Sequence, residues 1–208
     1  MLIGTDLWAR HGRGPWILAG HHLTLAPGEV RGLFGPSGCG KSTLAAVLAG
    51  LHVPARGTVE VDGAALASIA GPRPVQLVLQ HPERAMNPRW KIGRVLDEAR
   101  PDGAERSLAE GDLVQSAWFD RYPHELSGGE LQRVNLARAL VTEPSYLLAD
   151  EISASLDAIT QALLWSHLRD HVARRRMGVL AVSHDRALLA AVADEVVEFP
   201  LARPALRG

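Results

Sequence analysis

The sequence predicts an α/β protein with a mostly parallel sheet, an N-terminal antiparallel β subdomain and a small inserted helical lobe. Three observations predict it. The runs Glu29–Phe34, Pro74–Leu79, Tyr146–Ala149 and Val179–Val182 are short and mostly apolar, as buried strands are. They alternate with segments of helical spacing, Ser42–Leu51, Gly128–Val141, Asp157–Arg175 and Asp185–Ala193, which is the order that builds a parallel sheet covered by helices. A glycine-rich stretch, GPSGCGKST from Gly35 to Thr43, joins the first of these strands directly to the first helix.

At 208 residues and 47% hydrophobic, the chain is long enough for one compact domain with its own core. Twenty-two basic residues stand against 23 acidic ones, a formal charge of −1, so bulk charge gives no argument for nucleic acid or an anionic membrane surface. Cys39 is the one cysteine, which excludes an intramolecular disulfide and fits a reducing compartment. The N-terminal MLIGTDLWARHG lacks a basic segment followed by an apolar run, and no stretch approaches the roughly 18 uninterrupted apolar residues of a membrane span. Any membrane role is expected to be peripheral, on the cytoplasmic face.

From Leu2 to about Ala26 the apolar residues come in strand-like groups broken by Gly12, Gly14 and Gly20, which predicts sheet with turns. GTVEVDG, Gly57–Gly63, alternates and ends in Asp-Gly, a hairpin signal. Between His81 and Glu125 the texture changes to Pro, Gly and charge among short amphipathic pieces such as Ile92–Arg100, so residues 81–125 are expected to form the helical lobe, and 1–80 with 126–208 the core.

Gly35, Gly40, Lys41 and Ser42 have the spacing G-x-x-x-x-G-K-[ST] in the strand–loop–helix context that this phosphate-binding motif needs. Glycines let backbone N–H groups turn toward a phosphate, and the following helix aims its positive dipole end at the same point. Pro36, Ser37, Gly38, Cys39, Gly40 and Thr43 would line the phosphates, Lys41 would neutralise the β/γ oxygens, and the Ser42 hydroxyl would ligate Mg²⁺. Downstream, the apolar run Tyr146–Ala149 ends in Asp150 and Glu151. Carboxylates at a strand end beside such a loop suit a hard cation: Asp150 would face the metal, and Glu151 would polarise an attacking water. Read alone, the acidic pair could also cap the next helix.

The loop by itself does not separate kinases, GTPases, helicases and transport ATPases. LSGGELQR, Leu126–Arg133, does: it resembles the signature of the ABC ATPases, although Ser127 with Glu130 also has the form of a capping box. The resemblance implies a RecA-like phosphate-loop core. It further implies that Ser127, Gly128 and Gly129 present a hydroxyl, N–H groups and a helix end to the γ-phosphate of ATP bound on a second ATPase subunit. In the same family register, Gln80 resembles the glutamine that touches Mg²⁺ and the attacking water, Asp157 resembles the aspartate of the loop after the acidic pair, and His184 the histidine that bonds the γ-phosphate. Members of the family commonly stack adenine on an aromatic ring upstream of the loop. LWARHG places His11 there, with Trp8 and Trp16 as the alternative rings and Trp16 expected to pack the sheet.

QHPERAMNPRW, Gln80–Trp90, together with ELQRVNLARAL and SLDAITQA, resembles the ATPases of peptide, nickel and opine importers. As a bare sequence, Asn87-Pro88 also marks a turn before a helix. Three departures stand against that group: a short stretch between Gln80 and Leu126, an end soon after Phe199, and Ile152-Ser153 where Pro-Thr usually follows the acids. The resemblance implies a homo- or heterodimer that hydrolyses ATP with Mg²⁺, permease subunits as partners, and an extracytoplasmic binding protein in the same system. The alternative is a soluble ABC ATPase of nucleic-acid or ribosome processes, which usually carries a coiled-coil insertion, tandem cassettes or a basic tract. The chain shows none of these, nor the Asn-Lys-x-Asp guanine reader of a GTPase. Arg174–Arg176 is expected to be a solvated helix end rather than a nucleic-acid contact.

Overall fold

The computed structural model describes residues 1–99 and 113–199. Among these, the strands form two sheets. The first is antiparallel in the order β2-β1-β4-β5, from β1 (Leu2–Ala9), β2 (Leu18–Leu25), β4 (Arg56–Val61) and β5 (Ala64–Ala65). The second, in the order β6-β7-β8-β3-β9, is parallel throughout and comprises β3 (Val30–Phe34), β6 (Val75–Val78), β7 (Tyr146–Asp150), β8 (Gly178–Ser183) and β9 (Glu195–Glu198). The α-helices among the described residues are α1 (Lys41–Leu48), α2 (Ile92–Glu98), α3 (Gly128–Leu140), α4 (Ala158–Arg175) and α5 (Arg186–Val192), with short 3₁₀ turns at Leu66–Ser68, Pro82–Arg84, Ser116–Trp118 and Pro123–Glu125.

The parallel strands read as continuous apolar runs because both of their faces are buried. Along β7, Leu147 and Ala149 enter one core with α2, α3, α4 and α5, whereas Tyr146 and Leu148 enter a second core shared with α1 and the antiparallel sheet. β8 repeats the alternation, with Val179 and Ala181 on the first side and Leu180 and Val182 on the other. Leu147, Leu148 and Leu180 are fully buried, each contributing about 1.5–3 kcal/mol of apolar transfer. Such strands hold their register firmly.

Most sequence boundaries shift by a residue or two because caps, rather than periodicity, set them. Asp157 is the N-cap of α4, its carboxylate accepting from the N–H groups of Ile159 and Thr160, and the Asp185 carboxylate caps α5 in the same way. The Asp-Gly hairpin is present, with Asp62 and Gly63 both at positive φ between β4 and β5. β9, which adds an outer parallel strand beside β3, has no counterpart among the expected elements. Arg174–Arg176 do end a helix at the surface, but two of them are paired: Arg175 with Glu143 at 2.7 Å and Arg174 with Asp170 at 3.9 Å. Of the expected lobe, residues 100–112, including the end of the Ile92–Arg100 piece, lie outside the described residues, as does everything beyond Phe199. Its described remainder packs through Leu113, Val114 and Trp118 into the core of α2 and α3, with the Arg133 guanidinium 4.6 Å from the Trp118 ring centre.

The antiparallel sheet contains one strained crossing. β1 bulges between Thr5 and Trp8 opposite β4, Asp6 takes φ 48°, and Gly57 takes φ 97°. A Cβ on Gly57 would lie 2.3 Å from the Asp6 carbonyl oxygen and 2.4 Å from that of Thr5. Gly57→Ala is therefore expected to destabilise the chain by about 2 kcal/mol or more. Chemical denaturation checks it; an unchanged midpoint would show that β4 does not cross β1 this closely.

Candidate functional site

Four parallel strands bring their C-terminal ends to one edge, and the sequence-predicted residues follow those ends. Phe34 of β3 pairs with Ser183 of β8, Val182 of β8 with Asp150 of β7, and Ala149 of β7 with Val78 of β6. The loop of Gly35, then His184, Glu151 and Gln80 thus arrive together. His11, Ile17, Ser37, Gly38, Gly40, Lys41, Ser42, Thr43, Gln80, Glu151 and His184 line one cleft of about 350 Å³. Residues far apart in the chain meet here because parallel strands end in register.

The loop is built around Lys41. Its stem is buried at 5% exposure, and its ammonium donates to the carbonyls of Gly35 at 2.6 Å and Pro36 at 2.9 Å, which curls the loop back over the start of α1. Gly40 caps that helix at φ 112°, and a Cβ there would stand 2.9 Å from the Ile17 side chain. Only glycine both takes this backbone angle and lets β2's approach segment sit so close. No side chain caps α1, so its first N–H groups remain available to an anion. Pro36, Ser37 and Gly38 are exposed, and Cys39 is half-buried, its sulfur directed back toward Gly35.

Asp150 ends β7 at 6% exposure, and its Oδ1 is buried without a hydrogen-bond partner. Burial pushes its carboxyl above the ordinary value. A hydrogen bond from Ser42 lowers it, the Glu151 charge raises it, and the Lys41 ammonium lowers it. An orphaned carboxylate oxygen beside a serine hydroxyl fits a hard, oxygen-seeking cation. Among the described residues no group of three or more His, Cys, Asp or Glu side chains is arranged to hold a metal. Mg²⁺ at Asp150 and Ser42 would accordingly take its other ligands from phosphate and water, as this ion does in phosphate-loop sites.

Glu151 takes φ 52°, a left-handed angle for a non-glycine residue, held by its N–H donating to Val182 O at 3.0 Å. The turn aims its carboxylate at β8. The His184 N–H donates to Glu151 Oε1 at 2.9 Å, and His184 Nδ1 lies 2.8 Å from the same oxygen. The Ser183 hydroxyl donates to Oε2 at 3.3 Å. Because a carboxylate oxygen accepts, the imidazole donates to Glu151 from Nδ1, which leaves Nε2 for a ligand. Glu151 is 10% exposed and His184 54%, so the histidine is the outer member of the pair.

Ser127 caps α3 in the capping box the sequence suggests: its Oγ accepts from Glu130 N–H at 3.3 Å, and its N–H donates to Glu130 Oε2 at 2.8 Å. That contact holds the Glu130 carboxyl below its ordinary value. Ser127 and Gly128 are exposed and Gly129 half-exposed, packed toward Thr160 and Leu156, so the serine-led tip faces outward and does not line the cleft described above. Asp157 spends both carboxylate oxygens on its own helix, Oδ2 accepting from Thr160 Oγ1 at 2.7 Å, and these bonds lower its pKa. His11 lines the cleft and meets His52 edge-on, 5.6 Å between ring centres. Trp8 and Trp16 instead pair with each other at 5.5 Å, with the Trp8 indole donating to Asp6 and Arg10 lying over Trp16. Sequence reasoning missed Ile17, which lies two strands upstream of the loop and carries no local signal of its place in the cleft, and His52, which reaches the site only through His11.

An ABC transporter family model matches residues 18–154. The chain belongs to the ABC transporter family. It is 34% identical to a putative peptide import ATP-binding protein of Brucella ovis, the match covering 90% of this chain and 64% of that one. It is also 34% identical to a di/tripeptide transport ATP-binding protein of Pseudomonas aeruginosa, over 92% of this chain and 64% of that one. The chain thus spans 64% of the length of these curated relatives. Its backbone superposes on a bacterial ABC transporter cassette solved as a dimer with a TM-score of 0.81 at 24% identity, covering 95% of this chain and 94% of that one. The two sheets and their helices are therefore the RecA-like phosphate-loop fold of ABC ATPases.

The buried carboxylate has a measurable signature. Below the ordinary aspartate range Asp150 is protonated in folded and unfolded chain alike and costs nothing. As pH rises from the ordinary aspartate value toward the raised folded value, the unfolded chain ionises this carboxyl while the native state keeps its proton, and stability is lost across that window. Without nucleotide and in chelator, Asp150→Asn is expected to melt a few degrees above wild type at pH 8, the gap closing toward pH 4. A variant that melts below wild type at every pH would show that burial is not what governs this carboxyl.

Proposed function

We propose that this chain is the ATP-hydrolysing subunit of an ABC importer for peptides, nickel or opine-like metal chelates, peripheral on the cytoplasmic face of the membrane. The observation that carries the reading is the meeting of Lys41, Ser42, Asp150, Glu151 and His184 at one sheet edge. The names of the peptide and di/tripeptide relatives support the substrate class. In this reading the partners are a second ATPase subunit, identical or sister, permease subunits and an extracytoplasmic binding protein.

The N–H groups of Gly38, Gly40 and Thr43 and the Lys41 ammonium bind the β- and γ-phosphates, and His11 stacks the adenine. Asp150 and Ser42, with Gln80 as the further side chain within reach, would hold Mg²⁺, which would supply positive charge to offset that of the phosphates. Glu151 accepts a proton from the attacking water, and its bonds to His184 fix the carboxylate so that one oxygen keeps a defined orientation. Protonated on both nitrogens, the His184 imidazole would donate from Nδ1 to Glu151 and from Nε2 to the γ-phosphate. Across the dimer, Ser127, Gly128 and Gly129 of the partner subunit would close the same phosphate, with Asp157 holding the neighbouring helix start in place. ATP drives closure because it binds the closed dimer better than the open one, and the closure moves the permease.

Glu151→Gln is expected to keep nucleotide affinity and lose hydrolysis by about a hundredfold or more. Single-turnover kinetics and nucleotide titration on the same preparation check this; wild-type turnover would remove Glu151 from the reaction. In cells carrying the variant, uptake of one of labelled dipeptide, nickel or opine should fall to background. Unchanged uptake of all three would remove the importer assignment.

A further inference from the structure

Two buried amide side chains converge on one carbonyl next to Gln80. Gln132 Nε2 donates to Leu79 O at 3.3 Å and Asn135 Nδ2 donates to the same oxygen at 3.2 Å, from side chains 3% and 4% exposed. They stand at i and i+3 of α3, hence on one face. Around them that helix buries Leu131, Val134 and Leu136, an apolar setting in which an amide is costly unless it is hydrogen-bonded. Asparagine is also a poor helix-interior residue. The pair has a reason to be there.

The reason lies in where β6 stops. Its pairing with β7 ends at Val78–Ala149, and because Pro74 O accepts from Tyr146 N–H, alternation along the strand points the carbonyls of Pro74, Gln76 and Val78 at β7 and that of Leu79 to the outer side of this edge strand. Leu79 O is thus one residue past the last sheet bond, at the point where the chain leaves the sheet for Gln80. The two amides take both of its lone pairs on the side of β6 that has no strand neighbour among the described residues. Gln80 itself is exposed and reaches the cleft, so the peptide that bears it is anchored from behind by α3, the helix whose first turn carries Ser127.

We propose that Gln132 and Asn135 are positioning residues for Gln80, tying its backbone to the helix that begins at Ser127. The inference rests on the reading of Gln80 as a ligand of Mg²⁺ and the attacking water. Displacement of α3 would move the Leu79–Gln80 peptide with it, and the two amides are the atoms through which it would do so.

The test is a double-mutant cycle on the full protein, with Gln80→Ala, Asn135→Ala, Gln132→Met and their combinations. It reads nucleotide affinity, kcat, the Mg²⁺ concentration for half-maximal activity, and thermal stability. Expected for Asn135→Ala and Gln132→Met are nucleotide affinity within about twofold of wild type, kcat lowered about ten- to a hundredfold, and a raised Mg²⁺ requirement. Asn135→Ser, which retains a donor, should restore part of kcat. In the Gln80→Ala background the same changes should cost little more. Full multiplication of the two defects, or loss of stability with kcat and Mg²⁺ requirement unchanged, would overturn the positioning role. If Gln80→Ala alone matched wild type, the role of Gln80 would fall instead. If Gln132→Met does not fold, Asn135→Ala completes the cycle.

Discussion

Everything at the site depends on strands that run in the same direction and stop at the same edge. Phe34, Val78, Asp150 and Ser183 end their strands within a residue of one another in register, so the four segments that follow are delivered to one place. Apolar burial on both faces makes slippage expensive, since a one-residue shift along β7 or β8 would exchange the side chains of the two cores. Hydrophobic burial, which has no chemical specificity, thereby places an ammonium, two carboxylates, a hydroxyl and an imidazole with the precision that phosphate chemistry needs.

The same edge concentrates features that work against stability. Asp150 keeps a buried oxygen unpaired, Glu151 adopts a left-handed backbone angle, and the Lys41 ammonium sits against two loop carbonyls. Such features persist where the surrounding structure over-determines them, and they mark places where chemistry rather than packing selected the residue. A phosphate group and a divalent cation would satisfy the first and the third together, which links the energetics of the loop to its ligand. The Glu151–His184 pair differs in kind. It is already satisfied, and its contribution is orientation.

Features carried by local signals were legible in the sequence. The glycine loop, the capping box at Ser127, the Asp-Gly hairpin and the apolar runs of β7 and β8 each declare themselves within a few residues. β9 did not, because a four-residue strand with glutamates at both ends acquires its identity only by pairing with β3. The capping role of Asp157 was not visible, since a capping aspartate and a functional one have the same sequence form. His11 could be placed by register but not told from Trp8 and Trp16, whose mutual packing is a tertiary fact. Gln132 and Asn135 were hidden for a similar reason: their partner is the carbonyl of Leu79, and nothing in the sequence shows that it faces α3 from the edge of the sheet. Membership in the ABC transporter family followed from the motifs.

The central claim is that a phosphate gripped by the loop of one cassette is closed over by the exposed helix tip of another. The chain's single cysteine, Cys39, lies in that loop and supplies a native probe. With Ser127→Cys introduced and Glu151→Gln present to preserve ATP, a short bifunctional thiol reagent should link two cassettes in the presence of MgATP. The link should vanish with ADP or when Cys39→Ser is added. A yield that does not depend on ATP, or no link between cassettes under any condition, would contradict the account.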